Sequence, residues 1–373
     1  SSDSWPIYIS LQKDGILFKM RRTQDLPDKE SATMFFQDCK LAHQAQITGI
    51  SHSVKEILPP DLLDLTQLQK EANIRYGYTA SEVYDIAQSL YEKNLISYPR
   101  TSSRYLTEDV FDSLSPIMAR LLSWELFPAA KGTGGIDISS LSRHVISAEK
   151  ANVHHAIIIT GIRPGNMSEK EMQVYRLVAG RMLEAFMAPC RIETTNVEAV
   201  CAAQHFKVEQ TRIIEAGWHD VFMCSDMIPT SGYSVKELPK MEKGDTLNVC
   251  GCNMVHKKQL PVNPFTDAEL VEYMEQNGLG TVSSRTNIIR TLVNRKYIRY
   301  SGKYIVPTPK GMFTYETIRG KKIADTSLTA DWEKQLAGLE SGMITGQDFL
   351  NRIRTLAKEM TDDIFNTYST KEE

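Results

Sequence analysis

The chain begins with the pattern of a β-hairpin. Over residues 7–11, apolar side chains alternate with other residues in the period-two pattern of a half-buried strand. Asp14-Gly15 then supplies a tight turn, and residues 16–20 continue as a second strand. Residues 30–41 predict a short helix, and residues 47–54 predict a further strand.

A long helical stretch follows, from residue 58 to residue 187. One of its helices begins at a capping box, in which Thr79 and Glu82 satisfy each other's backbone N–H groups. A later helix begins in the same way with Ser168 and Glu171. Both are followed by apolar residues at helical spacing, so this stretch is predicted to be α-helical.

Strand-like alternation returns over residues 194–249, so β structure lies on both sides of the helices. The simplest arrangement is a helical domain, residues 58–187, inserted into a discontinuous β domain formed by residues 1–57 and 188–258. The predicted fold class is multidomain α+β, mainly helical.

The last block, residues 259–373, has a different outline. A capped helix at residues 266–274, a turn at 278–281 and a second helix after Ser283 or Ser284 precede a hairpin at 297–306. Helix, turn, helix and two-stranded wing is the order of a winged-helix module. Two further helices are expected at 330–340 and 346–366.

Composition places the chain among folded proteins and locates one unusual surface. The 373 residues are 24% charged and 42% hydrophobic, which is typical of two or three globular domains. The net charge of −3 argues against a general nucleic-acid binder. Residues 278–322, however, contain ten Lys or Arg against a single acid, Glu316. Because a merely solvated face would normally mix signs, we expect a phosphate-binding surface there.

The cysteines give no metal signature. Of the six, only Cys250 and Cys252 are close in sequence, and a zinc ribbon needs a second pair. His256 alone does not complete a site. We therefore expect reduced, structural cysteines in a cytoplasmic protein. No apolar run approaches the roughly 18 residues of a membrane span, so no membrane partner is expected.

A candidate nucleophile follows the first capped helix. Pro99 favours an extended conformation for Tyr98, so the helix should end before it and leave the phenol on a turn. A neutral phenol is a weak nucleophile unless a cation or a base assists it. Arg100 could give that assistance, or grip a phosphate with its planar fork. Taken alone, Tyr-Pro-Arg is more typical of a structural turn.

The surrounding residues resemble a known family. Residues 98–106, Tyr-Pro-Arg-Thr-Ser-Ser-Arg-Tyr-Leu, are similar to the nucleophile motif of the type IA DNA topoisomerases, and within them to the bacterial topoisomerase III branch. Ser102 stands where the family usually has an acid, and Ile159 and Val282 where it usually has prolines. Further segments that match family motifs in the right order are 64–73, 87–92, 153–157, 278–285 and 328–333.

The resemblance implies a mechanism and roles for named residues. Tyr98 would attack a single-strand phosphodiester and form a 5′-phosphotyrosine, which is resealed without ATP after strand passage, to relax or decatenate DNA. Arg100 would position the scissile phosphate, and His154 would contact DNA beside it. The structural alternatives are a tyrosine buried in a turn, a salt bridge of Arg100 and a satisfied core histidine.

Further DNA contacts are expected from other arginines. The candidates for binding phosphates are Arg104 in the nucleophile motif and Arg285 and Arg290 in the basic stretch. Ser283 and Ser284 lie at a helix start, where free backbone N–H groups attract a phosphate. Plain helix capping explains the serines equally well.

Relatives in this family carry an N-terminal Toprim domain, whose acidic cluster binds Mg²⁺. We find no such acidic run, so we expect the chain to begin after that domain and to bind no metal itself. It should be a monomer that binds single-stranded DNA but needs the Toprim domain for catalysis. The alternatives are a non-catalytic single-stranded DNA-binding module on the same scaffold, and a winged-helix duplex binder supported only by residues 264–309.

Overall fold

The computed structural model describes residues 3–26, 28–124, 126–128, 136–137, 141–151, 154–222, 232–258 and 263–369, leaving aside the side chains of residues 340 and 363–369. The chain forms two compact units. The first contains Ser1–Pro60, Phe127–Asp137 and Leu183–Asn263. The second contains Asp61–Leu126, Ile138–Met182 and Pro264–Glu373.

The first unit is a closed six-stranded barrel with one helix packed on it. The strands run in the order β1-β2-β5-β4-β3-β6, and the ring closes because β6 pairs with both β1 and β3. The elements are β1 (Ile7–Lys13), β2 (Ile16–Arg22), α1 (Lys29–Leu41), β3 (Gln44–Ile57), β4 (Cys190–Cys201), β5 (Gln204–Glu215) and β6 (Thr246–Met254).

Alternating side chains of these strands fill the barrel. Ile7, Ile9 and Leu11 of β1 are fully buried, and they pack in one cluster with Phe206 of β5 and Cys39 of α1. The predicted pairing of the two β segments is confirmed, since β3 forms a long antiparallel ladder with β4. The residues between β3 and β4 therefore leave the barrel at the end of one strand and return at the start of its neighbour.

The second unit is helical, with one small two-stranded sheet. Its helices α2, α3, α8 and α9 pack together around a small core of Ala80, Val271, Met274, Ile289 and Ile305. The elements are α2 (Leu65–Tyr76), α3 (Ala80–Glu92), α4 (Glu108–Asp112), α5 (Leu114–Ser123), α6 (Ala148–Ala151), α7 (Glu169–Phe186, whose last turn counts with the barrel), α8 (Asp267–Gln276), α9 (Arg285–Asn294), β7 (Ile298–Ser301), β8 (Tyr304–Pro307), α10 (Pro309–Ile318), α11 (Thr326–Glu340) and α12 (Gly346–Ser369).

Most of the locally encoded features agree with the sequence. Asp14 and Gly15 both have positive φ, 52° and 80°, as a type I′ hairpin turn requires. The capping boxes of α3 and α8 are both formed. Helix α10 was not predicted, although Thr308 caps it and Pro309 occupies its first turn.

The last block follows the predicted order of helix, turn, helix and hairpin, and its assignment as a winged helix stays a prediction. Residues 58–187 and 259–373, predicted as separate domains, contribute to the same compact unit. Their status as separate domains therefore also stays a prediction. Within the residues that the structure describes, no helix is long and apolar enough to cross a membrane.

Candidate active site

Tyr98 lies where two distant segments meet. Helix α3 ends at Glu92, and the chain then pairs with the segment that carries the histidines, through a bridge between Ile96 and Ile159. The Ser97 backbone N–H donates to the Ile158 carbonyl at 2.8 Å, and its hydroxyl donates to the Ala156 carbonyl at 3.1 Å. These bonds fix the residue before Tyr98 against the residues that follow His154.

The Tyr98 ring is in contact with two other rings. Its centroid lies 4.5 Å from that of His154, at an interplanar angle of 43°, and 5.5 Å from that of Tyr91, edge to face. Tyr98 is half-buried and His154 is exposed, while Pro99 is buried. The phenol is therefore held by packing on one side and has an exposed imidazole on another.

Arg100 is held by the face of α3. Its Nη2 donates to the Gln88 side-chain oxygen at 3.1 Å, and its guanidinium lies 5.1 Å from the centre of the Tyr84 ring. Within the residues described, its side-chain hydrogen bond goes to the neutral Gln88 and to no carboxylate, and its buried Nε has no hydrogen-bond acceptor. The structural alternative for Arg100, a salt bridge, is therefore not present in this part of the chain.

A second set of hydrogen bonds holds the rest of the motif. The Thr101 hydroxyl donates to the His154 carbonyl at 2.9 Å, and the Ser103 hydroxyl donates to the Lys150 carbonyl at 2.7 Å. Thr101 and Ser103 are buried, whereas Ser102, which replaces the usual family acid, is exposed. The difference at position 102 therefore lies at an exposed position within the motif. Val153, at the start of the histidine motif, lies outside the described residues.

Arg104 has a partner within the protein. Its Nε donates to the Asp64 carboxylate at 2.6 Å, and that carboxylate is only 2% exposed. The other Asp64 oxygen accepts the Gln67 backbone N–H at 2.7 Å and so caps α2. Arg104 thus ties the nucleophile motif to the start of α2, and its predicted DNA contact stays a prediction.

The two serines at the start of α9 are not conventional caps. Ser284 occupies the cap position, but its side chain makes no capping bond to α9 and instead accepts the Thr281 N–H at 2.8 Å. Ser283 is exposed, with its hydroxyl 3.2 Å from that of Thr281. Plain helix capping is therefore wrong for Ser284, and the phosphate contacts of Ser283 and Ser284 stay predictions.

Arg285 and Arg290 are both engaged in ion pairs. Arg285 is only 8% exposed, and its guanidinium donates to Glu275 at 3.2 Å and to the Leu279 carbonyl at 3.3 Å. Arg290 donates to both Asp85 oxygens, at 3.0 and 2.9 Å. Their predicted DNA roles stay predictions. Other cations of the same basic stretch are exposed, namely Arg295, Lys296, Arg299, Lys303 and Lys310.

No role was assigned from the sequence to the residues around Arg100, although Gln88 and Tyr91 lie in the motif segment 87–92. Tyr84, Gln88 and Tyr91 are spaced i, i+4 and i+7, which places them on one face of α3. Two of them contact Arg100 and the third contacts Tyr98. Such a row of polar and aromatic residues on the helix before a candidate nucleophile indicates which face of that helix contacts the nucleophile motif.

Glu171 was recognised only as a capping residue, and it also fixes the end of α3. Its carboxylate accepts from Lys93 at 2.5 Å, from the Ser168 N–H at 3.0 Å and from the Ser89 hydroxyl at 2.8 Å. The hydrogen bond from Lys93, with those from Ser168 and Ser89, lowers the pKa of Glu171 to about 2. Glu171 therefore stays ionised and joins the start of α7 to the last turn before Tyr98.

In the part of the candidate site that the structure describes, there is no set of metal ligands. Among the residues that the structure describes, no group of three or more His, Cys, Asp or Glu side chains could hold a metal ion. The donor set present here therefore does not fit Mg²⁺, and the chemistry proposed below uses no metal held by this chain.

Comparisons with known proteins agree on one family. The family model described as DNA topoisomerase matches residues 1–351. The chain is 31% identical to DNA topoisomerase 3 of Bacillus licheniformis, over 86% of this chain and 47% of that protein. It is 30% identical to DNA topoisomerase 3 of Shouchella clausii, over 94% of this chain and 51% of that protein.

A solved structure supports the same fold. Full-length topoisomerase I from Thermotoga maritima superposes with a TM-score of 0.73 at 22% identity, covering 96% of this chain and 59% of that one. The chain spans about half the length of the curated relatives it matches. Since the family model covers nearly all of the sequence, the chain belongs to the DNA topoisomerase family, and within it to the type IA enzymes.

Proposed function

We propose that this chain carries the nucleophile of a type IA topoisomerase reaction, with Tyr98 attacking one strand of DNA. The contact of the Tyr98 ring with the exposed His154 ring, 4.5 Å between centroids, is the observation that carries the proposal. It brings together a phenol and an imidazole from segments far apart in the sequence. A tyrosine kept only for packing in a turn would not need an exposed titratable partner.

The proposed step is a transesterification. The Tyr98 phenolic oxygen forms a bond to phosphorus and gives up its proton, while the bond from phosphorus to the 3′ oxygen breaks and that oxygen takes up a proton. The product is a 5′-phosphotyrosine and a free 3′-hydroxyl, so the phosphate ester is conserved. Resealing is the reverse step and needs no ATP.

Two side chains of the chain are suited to contact the phosphate. An arginine guanidinium is always charged, and that of Arg100 is held by Gln88 and Tyr84 on the face of α3 whose Tyr91 contacts Tyr98. The exposed imidazole of His154 would donate an N–H to a phosphate oxygen. Both groups would act mainly by stabilising the charge of the transition state.

The substrate we propose is single-stranded DNA. The exposed cations between residues 295 and 310 offer a surface for the phosphate backbone, whose charge is the same at every nucleotide, so binding should be insensitive to sequence. Ser283, Ser284, Arg285 and Arg290 would lie at its edge. Because Arg285 and Arg290 already have carboxylate partners, their contribution depends on exchanging those partners for phosphate.

We further propose that the complete reaction, relaxation or decatenation of DNA, requires a Toprim domain with its Mg²⁺, because no group of three or more His, Cys, Asp or Glu among the described residues could hold a metal ion. The chain would act as a cytoplasmic monomer. The barrel would serve as the hinge of an arch that admits a second strand.

The test uses the 373-residue chain with an end-labelled single-stranded oligonucleotide and with supercoiled plasmid. Alone, with Mg²⁺, the chain should bind the oligonucleotide and leave the plasmid supercoiled. Adding the Toprim portion of a relative as a separate polypeptide should give relaxation and a covalent adduct. Tyr98→Phe should abolish the adduct and preserve binding, whereas the control Tyr76→Phe should retain both.

Three results would contradict the proposal. Relaxation by the isolated chain would show that the catalytic apparatus is assigned wrongly. An adduct formed by the Tyr98→Phe protein would exclude Tyr98 as the nucleophile. Binding of single strands without any adduct, in the presence of an active Toprim portion, would favour a non-catalytic binding module.

A further inference from the structure

Three cysteine side chains converge in the first unit, between α1 and the barrel. Cys39 is in the last turn of α1, Cys201 ends β4, and Cys252 is on β6. The Cys39 sulfur lies 4.0 Å from the Cys201 carbonyl oxygen, and the Cys252 sulfur lies 4.0 Å from the Phe36 carbonyl oxygen. Cys39 and Cys201 are fully buried, and Cys252 is partly exposed.

A β-bulge places Cys252 on the inner face of the barrel. The register of β1 and β6 shifts by one residue, which leaves Cys250 as the unpaired extra residue. Beyond the bulge, Cys252 is opposite Ile9, which is in the barrel core. Cys250 is exposed, so two cysteines separated by a single glycine have different surroundings.

The side chains of Cys39 and Cys252 lie against the same turn of α1. A helical side chain points back over the preceding turn, so that of Cys39 lies over the turn containing Phe36, and the Cys252 sulfur lies 4.0 Å from the Phe36 carbonyl oxygen. Cys252 packs against the buried cluster that contains Cys39, and its interaction with the Cys39 thiol lowers the pKa of Cys252. The contact with Cys201 lowers the pKa of Cys39, but the contact with Cys252 and burial outweigh it and raise this pKa to about 12.

This pair has the features of a redox-reactive site. Thiolate character and access to solvent make a cysteine reactive, and a neighbouring thiol allows the oxidised sulfur to be captured as a disulfide. Cys252 is partly exposed and has a lowered pKa, and the neighbouring thiol is that of Cys39. Fully buried Cys201 has no comparable access to an oxidant.

We propose that Cys252 is oxidised by hydrogen peroxide and then forms a disulfide with Cys39. The Cys252 thiolate attacks one peroxide oxygen, the O–O bond breaks, and Cys252 becomes a sulfenic acid while hydroxide leaves and is protonated to water. The Cys39 sulfur then attacks the Cys252 sulfur and loses its proton, and the sulfenic hydroxyl leaves as a second water. Two thiols and one peroxide thus give one disulfide and two waters.

The disulfide would fasten α1 to the barrel. It joins two elements far apart in the sequence, so it restricts the unfolded chain strongly and should raise the unfolding temperature of the first unit. This proposal does not depend on the topoisomerase reaction.

The experiment treats the whole chain with hydrogen peroxide, blocks the remaining thiols with N-ethylmaleimide, and maps the non-reduced peptides by mass spectrometry. A peptide linking Cys39 to Cys252 should appear and should be lost on treatment with dithiothreitol. The unfolding midpoint of the oxidised protein should shift to a higher temperature. Cys252→Ser should abolish both effects, and the matched control Cys250→Ser should keep both.

The peptide map of the wild-type protein decides the question even if a variant folds poorly. Accumulation of Cys252 as sulfinic acid without a cross-link would overturn the proposal, because it would show that Cys39 does not reach it. A cross-link from Cys39 to any other cysteine, or two unmodified thiols after treatment, would overturn it as well.

Discussion

Replacing Asp64 should destabilise the second unit, because this carboxylate has two tasks. It accepts the Gln67 N–H as the cap of α2, and it accepts the Arg104 guanidinium at 2.6 Å. Loss of a helix cap costs about 1 kcal/mol, and loss of a hydrogen bond to a charged group costs about 1.5–3 kcal/mol. Since the Arg104 side chain is 36% exposed, water compensates part of the lost hydrogen bond between Asp64 and Arg104. We therefore expect Asp64→Ala to cost about 2–3 kcal/mol.

Two further variants separate the two tasks. Asparagine is as good a helix cap as aspartate but carries no charge, so Asp64→Asn should lose only the ionic part, about 1–1.5 kcal/mol. Arg104→Ala leaves the Asp64 carboxylate buried without its cation, so it should cost more than Asp64→Asn. In a double-mutant cycle, Asp64 and Arg104 should show a coupling of about 1 kcal/mol or more.

The assay is native-state hydrogen exchange of the α2 amides, read beside thermal unfolding, since a chain with two units need not unfold in one step. The Gln67 amide should lose protection in Asp64→Ala and keep it in Asp64→Asn. Equal losses of under about 0.5 kcal/mol in both variants would refute the reasoning and free Arg104 for a primarily DNA-binding role.

Three further predictions concern stability. Glu171 has a pKa of about 2 in the folded chain against an ordinary 4.5, so its contribution to folding stability is present above pH about 4.5 and is lost towards pH 2. In acid titrations monitored by circular dichroism, Glu171→Gln should therefore be less stable than wild type at pH 6 and equally stable at pH 2. Burial raises the pKa of Asp267, so its charge costs stability as pH rises past the ordinary aspartate value. At pH 7, Asp267→Asn should cost under about 1 kcal/mol in urea unfolding. Asp267→Ala leaves the Ala80 N–H and the Tyr300 hydroxyl without their acceptor, so it should cost about 2 kcal/mol or more. An added Cβ at Gly311 would lie 2.0 Å from the Tyr297 carbonyl oxygen, so Gly311→Ala should lower stability by about 1–3 kcal/mol, and an unchanged melting temperature would contradict this.

The sequence by itself determined the features that depend on neighbouring residues. The Asp14-Gly15 turn, the capping boxes of α3 and α8, and the end of a helix before Tyr98 follow from backbone geometry and hydrogen bonds within a few residues. The motif around Tyr98 also identified the candidate nucleophile, because its residues are consecutive.

Only the tertiary structure decided which distant groups meet. The contact between Tyr98 and His154, the closure of the barrel through β6, and the contact of Cys252 with α1 at Phe36 all join segments that no local pattern relates. The sequence shows the charges of the basic stretch, but it does not show which of these side chains are exposed and free to bind phosphate. Arg285 and Arg290 have acids as partners because those acids lie on other helices packed against α9, and burial and pairing are set by packing rather than by composition.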